Sequence, residues 1–509
     1  MKFLKSLLEK IQSRKKSSGN PNFKSVAPPA YLEKSPEWHN HLPKIKPSQS
    51  ISSETLDTYS ADYNKNEKNE LAHHVIRNAS VTDILLNGDI LMKNPELFSE
   101  KIDLEGNITN QKSSGRCWIF AATNCMRLVL MKKYNLKTFE LSQNYLFFFD
   151  KFEKCNYFLE TMVELALIEE PDSRLIDRLF STPVNDGGQW DMLVNVVEKY
   201  GVVPQCAFPE TYHSSNSSQV NWLVTKKLRE YGITIRKALR EEKKSVEQVR
   251  ELKTEMLNNI YRILVTALGE PPKTFDWRFR NEDGKFHSLD HITPKNFYEN
   301  HIKPGLGTGE DLGVGSYVSL VNDPRHPYYT RMTVKHLGNV YEGKKINYLN
   351  VPVEVLKEAA YNTIKDGKPV WFGCDVGKFY DRKHGVMDLN MYNYRAAFGV
   401  DVVNNMTKAE RLMYNESLMT HAMVFTGVHV NDSTGSTERW RVENSWGVSA
   451  AGTGSSGFEI MNDDWFSEYT YQVVVEKKYL RKDLEPLLGV SNSQPIIELP
   501  LWDPMGSLA

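Results

Sequence analysis

The stretch Asn110-Gln-Lys-Ser-Ser-Gly-Arg-Cys-Trp118 carries most of the information about the architecture of this 509-residue chain. Its serines and Gly115 are turn and cap residues, and the apolar run after them predicts a buried helix from Cys117 to about Tyr134. Cys117 would then lie at a helix N-terminus, where the helix dipole and unpaired N–H groups, together with a nearby imidazolium, can lower the pKa of a thiol. The amide of Gln111 would donate to an oxyanion beside the Cys117 N–H. Taken singly, a buried structural cysteine and a solvated loop glutamine are the simpler interpretations.

Two later residues supply the partners that a catalytic thiol needs. His421 begins the apolar strand predicted over Ala422–Val428, and a strand end beside a cleft suits a general base. Asn444 lies in Val442-Glu-Asn-Ser-Trp-Gly447, where its amide oxygen would hold an imidazole tautomer and Trp446 would shield that hydrogen bond from water. Taken alone, His421 is more simply interpreted as a core histidine and Asn444 as a turn asparagine. Together, the order Gln, Cys, His, Asn predicts hydrolysis of an amide through a thiolate.

Composition and charge narrow the class of protein. Hydrophobic residues make up 40% of the chain and charged residues 25%, which is globular composition. The 63 basic and 64 acidic residues give a net charge of -1, so no charge excess predicts nucleic acid or an anionic membrane as the main partner. The five scattered cysteines contain no CxxC pair, which favours a reducing compartment over a disulfide framework or a zinc site. No membrane span, metal or cofactor is expected.

The N-terminal segment differs from the rest of the chain. Residues 12–60 are rich in Ser, Pro, Asn and Lys, which predicts a mostly disordered leader over residues 1–60 with one short helix near Pro36–Leu42. Its first 26 residues combine basic side chains with apolar residues at helical spacing. This pattern is typical of an organelle presequence and, equally, of a solvated tail. We therefore expect a cytoplasmic protein, with mitochondrial targeting as the alternative.

The order of the remaining elements predicts an α+β protein, helix-rich first and sheet-rich later. A short helix is expected at Met192–Tyr200, and residues 220–270 read as long, charged helix with an apolar stripe that is buried or lies between subunits. Short β-rich runs at Val370–Cys374 and Arg439–Glu443 follow. The expected domains are a leader (1–60), an N-terminal segment with a helical catalytic lobe (61–212), an inserted helical or oligomerisation region (213–345), a β-rich catalytic lobe (346–480) and a C-terminal arm (481–509).

These residues resemble the papain-like cysteine peptidases, whose signature places Cys before Trp or Tyr with His and Asn far downstream. Ser114 stands where secreted papains have a disulfide-bonded cysteine, and Arg116 replaces a small residue. Gly187 and Gly188 resemble the segment whose backbone pairs with substrate. Longer stretches resemble the bleomycin hydrolase subfamily over roughly residues 60 to 509: Glu140-Leu-Ser-Gln-Asn-Tyr-Leu-Phe-Phe148, Asn322-Asp-Pro-Arg-His-Pro327, Glu416-Ser-Leu-Met-Thr-His-Ala422 and Trp502-Asp-Pro-Met-Gly506.

The resemblance implies a two-lobed papain-like core, a helical lobe and a β-barrel-like lobe, with large helical insertions and a C-terminal arm in the cleft. It implies cytosolic homohexamers with enclosed active sites, acting on peptides or amides that have a free N-terminal amine. Bleomycin and homocysteine thiolactone are further implied substrates. Cys117, His421, Asn444 and Gln111 would be catalytic, and the carboxylate of Ala509 would meet the substrate amine.

Two other functions stay open from the residues alone. One is a hexameric nucleic-acid-binding protein with secondary peptidase activity, for which basic pairs exist at Lys226-Lys227, Lys243-Lys244 and Lys344-Lys345. The other is a different Cys-His enzyme, such as an acyltransferase or transglutaminase. The spacing of Gln111 and the Asn444-Ser-Trp446 motif argue against the second.

Overall fold

The computed structural model describes residues 50–402, 405–448, 457–488 and 495–507. The chain divides into two units, of which the first ends at Leu71 and the second begins at Ala72. The described part of the first unit contains the helix Ser53–Asn64, whose first turn is capped by the side chain of Ser52. The leader helix expected near Pro36–Leu42 lies outside the described residues.

Helices dominate the first half of the described chain. Those predicted at Cys117–Tyr134 and Met192–Tyr200 are confirmed as α5 and α8. The charged region 220–270 forms two helices, because Ser245 makes a capping box that begins the second one. The α-helices are α1 Ser53–Asn64, α2 Glu67–Ile76, α3 Val81–Leu85, α4 Gly88–Lys93, α5 Cys117–Tyr134, α6 Gln143–Leu165, α7 Arg174–Ser181, α8 Trp190–Tyr200, α9 Tyr212–Ser215, α10 Ser218–Arg240, α11 Val246–Leu268, α12 Pro294–Phe297, α13 Val353–Lys365, α14 Tyr394–Phe398, α15 Lys408–Met413, α16 Asp463–Tyr469 and α17 Glu485–Leu488.

Strands dominate the second half of the described chain. They are β1 Glu100–Lys101, β2 Phe275–Arg280, β3 Phe286–Ile292, β4 Gly307–Thr308, β5 Asp311–Leu312, β6 Tyr317–Val321, β7 Thr330–Val334, β8 Tyr348–Asn350, β9 Val370–Cys374, β10 Tyr380–Asp381, β11 Val386–Met387, β12 His421–Val430, β13 Thr437–Glu443, β14 Phe458–Asn462, β15 Thr470–Glu476 and β16 Ile497–Leu499. Twelve of them form one sheet in the order β10-β11-β14-β13-β12-β9-β15-β6-β8-β7-β16, with β1 paired to β12. The three predicted β-rich runs are confirmed as β9, β12 and β13.

The central strands β9 and β12 are covered on both faces, which is why their sequences are almost continuously apolar. Trp371 and Val424 belong to the core that contains α5. Their neighbours Phe372 and Phe425 point the other way, into the core that contains α13. Helix α5 therefore lies directly against β12, and this packing brings the start of the cysteine helix to the strand that begins with the histidine.

The stretch 213–345, expected to be helical, departs from that expectation. After α10 and α11 it contributes strands β2–β7, and β6 joins the large sheet beside β15 because Val318, Leu320 and Val321 are apolar and buried. The apolar stripe of α11 is buried at Val249, Met256, Ile260 and Leu264. The domain boundaries stay predictions. Among the described residues, no helix has the length and apolar character needed to cross a membrane.

Candidate active site

Cys117 is the first residue of α5, and a rigid turn holds it there. The Gly115 N–H donates to Asp186 Oδ2 at 3.1 Å. Arg116 forms a two-pronged ion pair with Glu210 at 2.9 and 2.8 Å, and its Nε donates to Ser114 Oγ at 2.8 Å. Arg116 and Cys117 are both buried. Two carboxylates from distant parts of the chain therefore fix the turn that presents the thiol.

Buried charges connect this turn with the segment that contains Asp186, Gly187 and Gly188. Lys151 of α6 lies 2.6 Å from Asp186 Oδ1, and the side chains of Ser217 and Asn221 also donate to Asp186. Burial alone would raise the pKa of Asp186, but Lys151 and these hydrogen bonds hold it well below its usual value. The neighbouring Lys154 donates to the Gly187 carbonyl at 2.6 Å. The network thus supports both the cysteine turn and the glycine segment.

Gly188 must be glycine because the indole ring of Trp118 occupies the space beside it. A Cβ at this position would lie 2.6 Å from the ring. The Trp118 Nε1–H donates to the Asp186 carbonyl at 2.7 Å. Gly187 lines a cavity of about 320 Å³ next to this contact. Gly188 therefore packs against Trp118, the residue after Cys117, and the substrate-binding role of the two glycines stays a prediction.

His421 and Asn444 meet as the sequence predicts. His421 Nε2 lies 2.9 Å from Asn444 Oδ1, and both residues are buried. The ring of Trp446 is 4.8 Å from the imidazole ring, centroid to centroid, and covers it. Oδ1 also accepts from the Ser445 N–H at 2.8 Å, which identifies it as the amide oxygen. Nε2 therefore carries the imidazole hydrogen, and Nδ1 keeps the lone pair that a general base needs.

The thiol and the imidazole are both strongly desolvated. Burial raises the pKa of Cys117 to about 11, although the N–H groups of Ala422, Trp118 and Cys117 face the sulfur and lower it. Burial lowers the pKa of His421 to about 4, against the opposite effect of the Asn444 hydrogen bond. Desolvation therefore opposes the lowering of the thiol pKa that a helix N-terminus favours, and its effect is larger than that of the N–H groups.

Gln111 is held more tightly than a loop glutamine would be. Its Nε2 donates to the Ser114 carbonyl at 2.6 Å, and its Oε1 accepts from Ser445 Oγ at 2.7 Å. Its backbone N–H donates to the Ser445 carbonyl at 2.8 Å. The side chain thus bridges the cysteine turn and the loop after Asn444. One amide hydrogen is used by Ser114, which leaves the second as the group that would reach an oxyanion.

The C-terminal arm runs along the second unit and ends beside the site. Asp503 pairs with Arg325 at 2.8 Å, and Arg174 lies over the ring of Trp502 at 4.3 Å. At the end of the described residues, Ser507 Oγ donates to the Met419 carbonyl and the Ser507 carbonyl accepts from Gln189 Nε2, both at 2.7 Å.

Gln189 follows the two glycines and Met419 precedes His421 by two positions, so the arm touches both walls of the cleft. The residue predicted to meet the substrate amine, Ala509, lies outside the described residues.

Sequence reasoning missed two supporting groups. Lys151 carries no local signal, since it lies in an ordinary helix and its partner Asp186 is 35 residues away. Glu459 did carry one: it is the single charged residue in the otherwise apolar stretch Gly457-Phe-Glu-Ile-Met461, and the structure buries it against Asn444.

Comparisons with known proteins agree with one another. The profile of the "Peptidase C1-like family" matches residues 50–506. Bleomycin hydrolase of Gallus gallus is 47% identical, over 86% of this chain and 94% of its own length. Aminopeptidase C of Listeria monocytogenes is 48% identical, over 81% of this chain and 88% of its own length. The crystal structure of PepW from Lactobacillus rhamnosis superposes with a TM-score of 0.85 at 41% identity, covering 91% of this chain and 100% of that one.

Proposed function

The chain belongs to the peptidase C1-like family of papain-type cysteine peptidases, and from this premise we propose that it is an aminopeptidase whose nucleophile is Cys117. The α+β papain-like fold expected from the sequence is confirmed. The observation that carries the proposal is the 2.9 Å hydrogen bond between His421 and Asn444. His421 lies close to Cys117 in the fold, because the N–H of the next residue, Ala422, faces the Cys117 sulfur.

The proposed reaction proceeds through a thioester. His421 Nδ1 takes the thiol proton as Sγ attacks the carbonyl carbon, and the imidazolium then protonates the departing amine as the C–N bond breaks. His421 next removes a proton from water, which attacks the thioester and releases the acid and the thiol. Asn444 holds the imidazole through both transfers. The Cys117 N–H and the Gln111 amide would stabilise the oxyanion of each tetrahedral intermediate.

The position of the arm supports cleavage next to a free N-terminus. Ser507 is hydrogen-bonded to Gln189, which follows the two glycines, and to Met419, which lies just before His421, so the arm would narrow a substrate groove on the side of Gly187 and Gly188. A substrate then has room for one or a few residues before its scissile bond. Two relatives that carry the names aminopeptidase C and bleomycin hydrolase point the same way. We propose bleomycin amide and homocysteine thiolactone as further substrates of the same thiol.

The test compares a fluorogenic aminoacyl amide with its N-acetylated form, for the wild type and for Cys117→Ala. We expect hydrolysis of the free amine only, abolished in Cys117→Ala and by a thiol-alkylating reagent. Cys206→Ala is the matched control, because Cys206 is an exposed free cysteine. It should keep full activity. If Cys117→Ala keeps more than a trace of wild-type turnover, Cys117 is not the nucleophile.

We also propose a cytoplasmic homohexamer. All five cysteines are free, which fits a reducing compartment. Helix α10 exposes Trp222, Leu223 and Ile233, apolar side chains of the kind that subunit interfaces cover. Light scattering of the purified protein would test the assembly, with a monomer counting against it. The net charge of -1 does not favour nucleic-acid binding as the main role, and the first 26 residues, which resemble a presequence, lie outside the described residues.

A further inference from the structure

Glu459 is a buried carboxylate directly behind the proposed catalytic residues. It lies on β14 between apolar residues and is 8% exposed. Its Oε1 accepts hydrogen bonds from Asn444 Nδ2 at 2.9 Å and from the Tyr380 hydroxyl at 2.6 Å. Its Oε2 has no hydrogen-bond partner among the described residues. A strand that only needed packing here would carry an apolar residue, because an incompletely paired buried carboxylate opposes folding.

The contact decides which way the Asn444 amide points. Its Oδ1 faces two N–H groups, those of His421 and Ser445, and its Nδ2 faces Glu459. A flipped amide would set its NH₂ against those two donors and its oxygen against the carboxylate. Because Oε1 of Glu459 accepts hydrogen bonds whether or not Oε2 holds a proton, the carboxyl group enforces one orientation at every pH. That orientation keeps the hydrogen on His421 Nε2.

We propose that Glu459 is a positioning residue for the hydrolysis, a fourth polar side chain in the series Cys117, His421, Asn444. The inference rests on the proposed function, since it concerns the same imidazole. When His421 accepts the thiol proton it becomes a cation, and an ionised Glu459 two hydrogen bonds away stabilises that cation through the polarised Asn444 amide.

The other ionisable groups around Glu459 lie on the β10–β11 hairpin and on strands β13 and β9. From the β10–β11 hairpin, Tyr380 donates to it, Arg382 stacks on Trp446 at 4.2 Å, and Asp381 pairs with His384. On β13, Arg441 and Glu443 are paired with other residues. Cys374 of β9 is a buried thiol whose pKa is raised well above its usual value by burial.

Burial and these neighbouring groups together place the pKa of Glu459 near neutral pH. Burial raises the pKa of Glu459 to about 7, and the hydrogen bonds from Tyr380 and Asn444 and the charge of Arg382 only partly oppose this. Glu459 is therefore mainly protonated where the acid limb of the reaction lies and mainly ionised at alkaline pH. Removing its charge should then affect the alkaline limb alone.

The experiment measures kcat/KM and the rate of thiol alkylation by iodoacetamide against pH for the wild type, Glu459→Gln and Glu459→Leu. Glu459→Gln keeps an acceptor for Asn444, so we expect near-normal kcat at neutral pH and an alkaline limb moved to lower pH, with the acid limb in place. Glu459→Leu removes the acceptor and should lower kcat by about ten- to a hundredfold with little change in KM. Glu438→Gln, a half-exposed carboxylate at the far end of β13, is the control and should behave as wild type.

Wild-type pH profiles and kcat in both Glu459 variants would overturn the proposal and leave Glu459 a structural residue. If Glu459→Leu fails to fold, the alkaline limb of Glu459→Gln decides alone. Activity that survives in Cys117→Ala would instead defeat the proposed function, so the two failures are distinguishable.

Discussion

Lys151→Met removes the cation that pairs with Asp186 and keeps a side chain of similar volume. Lys151 is 1% exposed, and its Nζ lies 2.6 Å from the Asp186 carboxylate. Asp186 in turn holds the Gly115 N–H at the turn before Cys117. The variant should therefore lose stability and also lower kcat, because the thiol is no longer presented by a fixed turn.

Linkage sets an upper bound on the penalty that the unpaired Asp186 charge itself imposes on the folded variant, and the favourable contribution that Lys151 makes in the wild type is lost in addition. An unpaired carboxylate can protonate, so the cost does not exceed that of protonating a carboxyl group whose ordinary pKa is 3.8. At 1.36 kcal/mol per pH unit this is about 4.4 kcal/mol at pH 7 and about 1.6 kcal/mol at pH 5. The value at pH 7 agrees with the roughly 3–5 kcal/mol that breaking a buried ion pair costs.

The sign of the pH dependence follows from the wild type. There the pKa of Asp186 lies below its ordinary value, since Lys151 and the hydrogen bonds outweigh burial. Its contribution is thus complete above about pH 4 and is lost only as the pH falls through the lowered pKa. In Lys151→Met, burial dominates and raises that pKa. The variant should therefore be destabilised less at pH 5 than at pH 7, by at most about 3 kcal/mol.

Urea unfolding followed by tryptophan fluorescence at pH 5 and pH 7 measures both differences. Lys227→Met is the control: it breaks an ion pair with Glu230 in which the two side chains are 33% and 58% exposed, and it should cost less than about 1 kcal/mol. A loss below about 1 kcal/mol for Lys151→Met at pH 7, or a loss that is the same at both pH values, would show that Lys151 does not compensate the Asp186 charge.

Three further outcomes follow from the site. Gln111→Ala should lower kcat by about 10²–10³, and an unchanged rate of the chemical step would remove its role at the oxyanion. The pH profile of kcat/KM should have a broad plateau, with an acid limb below 6.5 because burial lowers the pKa of His421 and an alkaline limb above 9 because burial raises that of Cys117. A rate that climbs steadily from neutrality to pH 9 would mean an ordinary thiol. Deleting residues 506–509 should admit N-acetylated substrates without loss of peptidase activity, and an unchanged ratio of kcat/KM for free and acetylated substrates would show that the arm does not set specificity.

The parts of the fold that local pattern determines could be predicted from the sequence. Helix α5 and strands β9 and β12 were predicted because each is a long apolar run bounded by turn residues. Strands β6 and β7 were missed, since they are short and lie in a stretch that begins with two long charged helices. Whether β6 joins the sheet depends on pairing with β15, and whether β7 does depends on pairing with β8 and β16, and no local pattern contains these partners.

The same distinction applies to the site. Cys117, His421, Asn444 and Gln111 stand in recognisable local motifs, and the structure brings His421 and Asn444 into contact and ties Gln111 to the loop after Asn444. The direction of the thiol pKa could not be predicted, because burial is a property of the folded cleft and outweighs the local effect of the helix N-terminus.

Desolvation of Cys117 and His421 penalises each charge alone more than it penalises the transfer of a proton between them. Transfer creates opposite charges on neighbouring groups, and their attraction in a dry cleft offsets part of the desolvation. The N–H groups that face the sulfur stabilise the thiolate, and the amide oxygen of Asn444 stabilises the imidazolium. Loss of the thiol proton to water has no such compensation. In the proposed mechanism the fold therefore favours a thiolate that forms together with the imidazolium over a thiol that is ionised by itself, and the orientation of the Asn444 amide would then affect the reactivity of the cysteine.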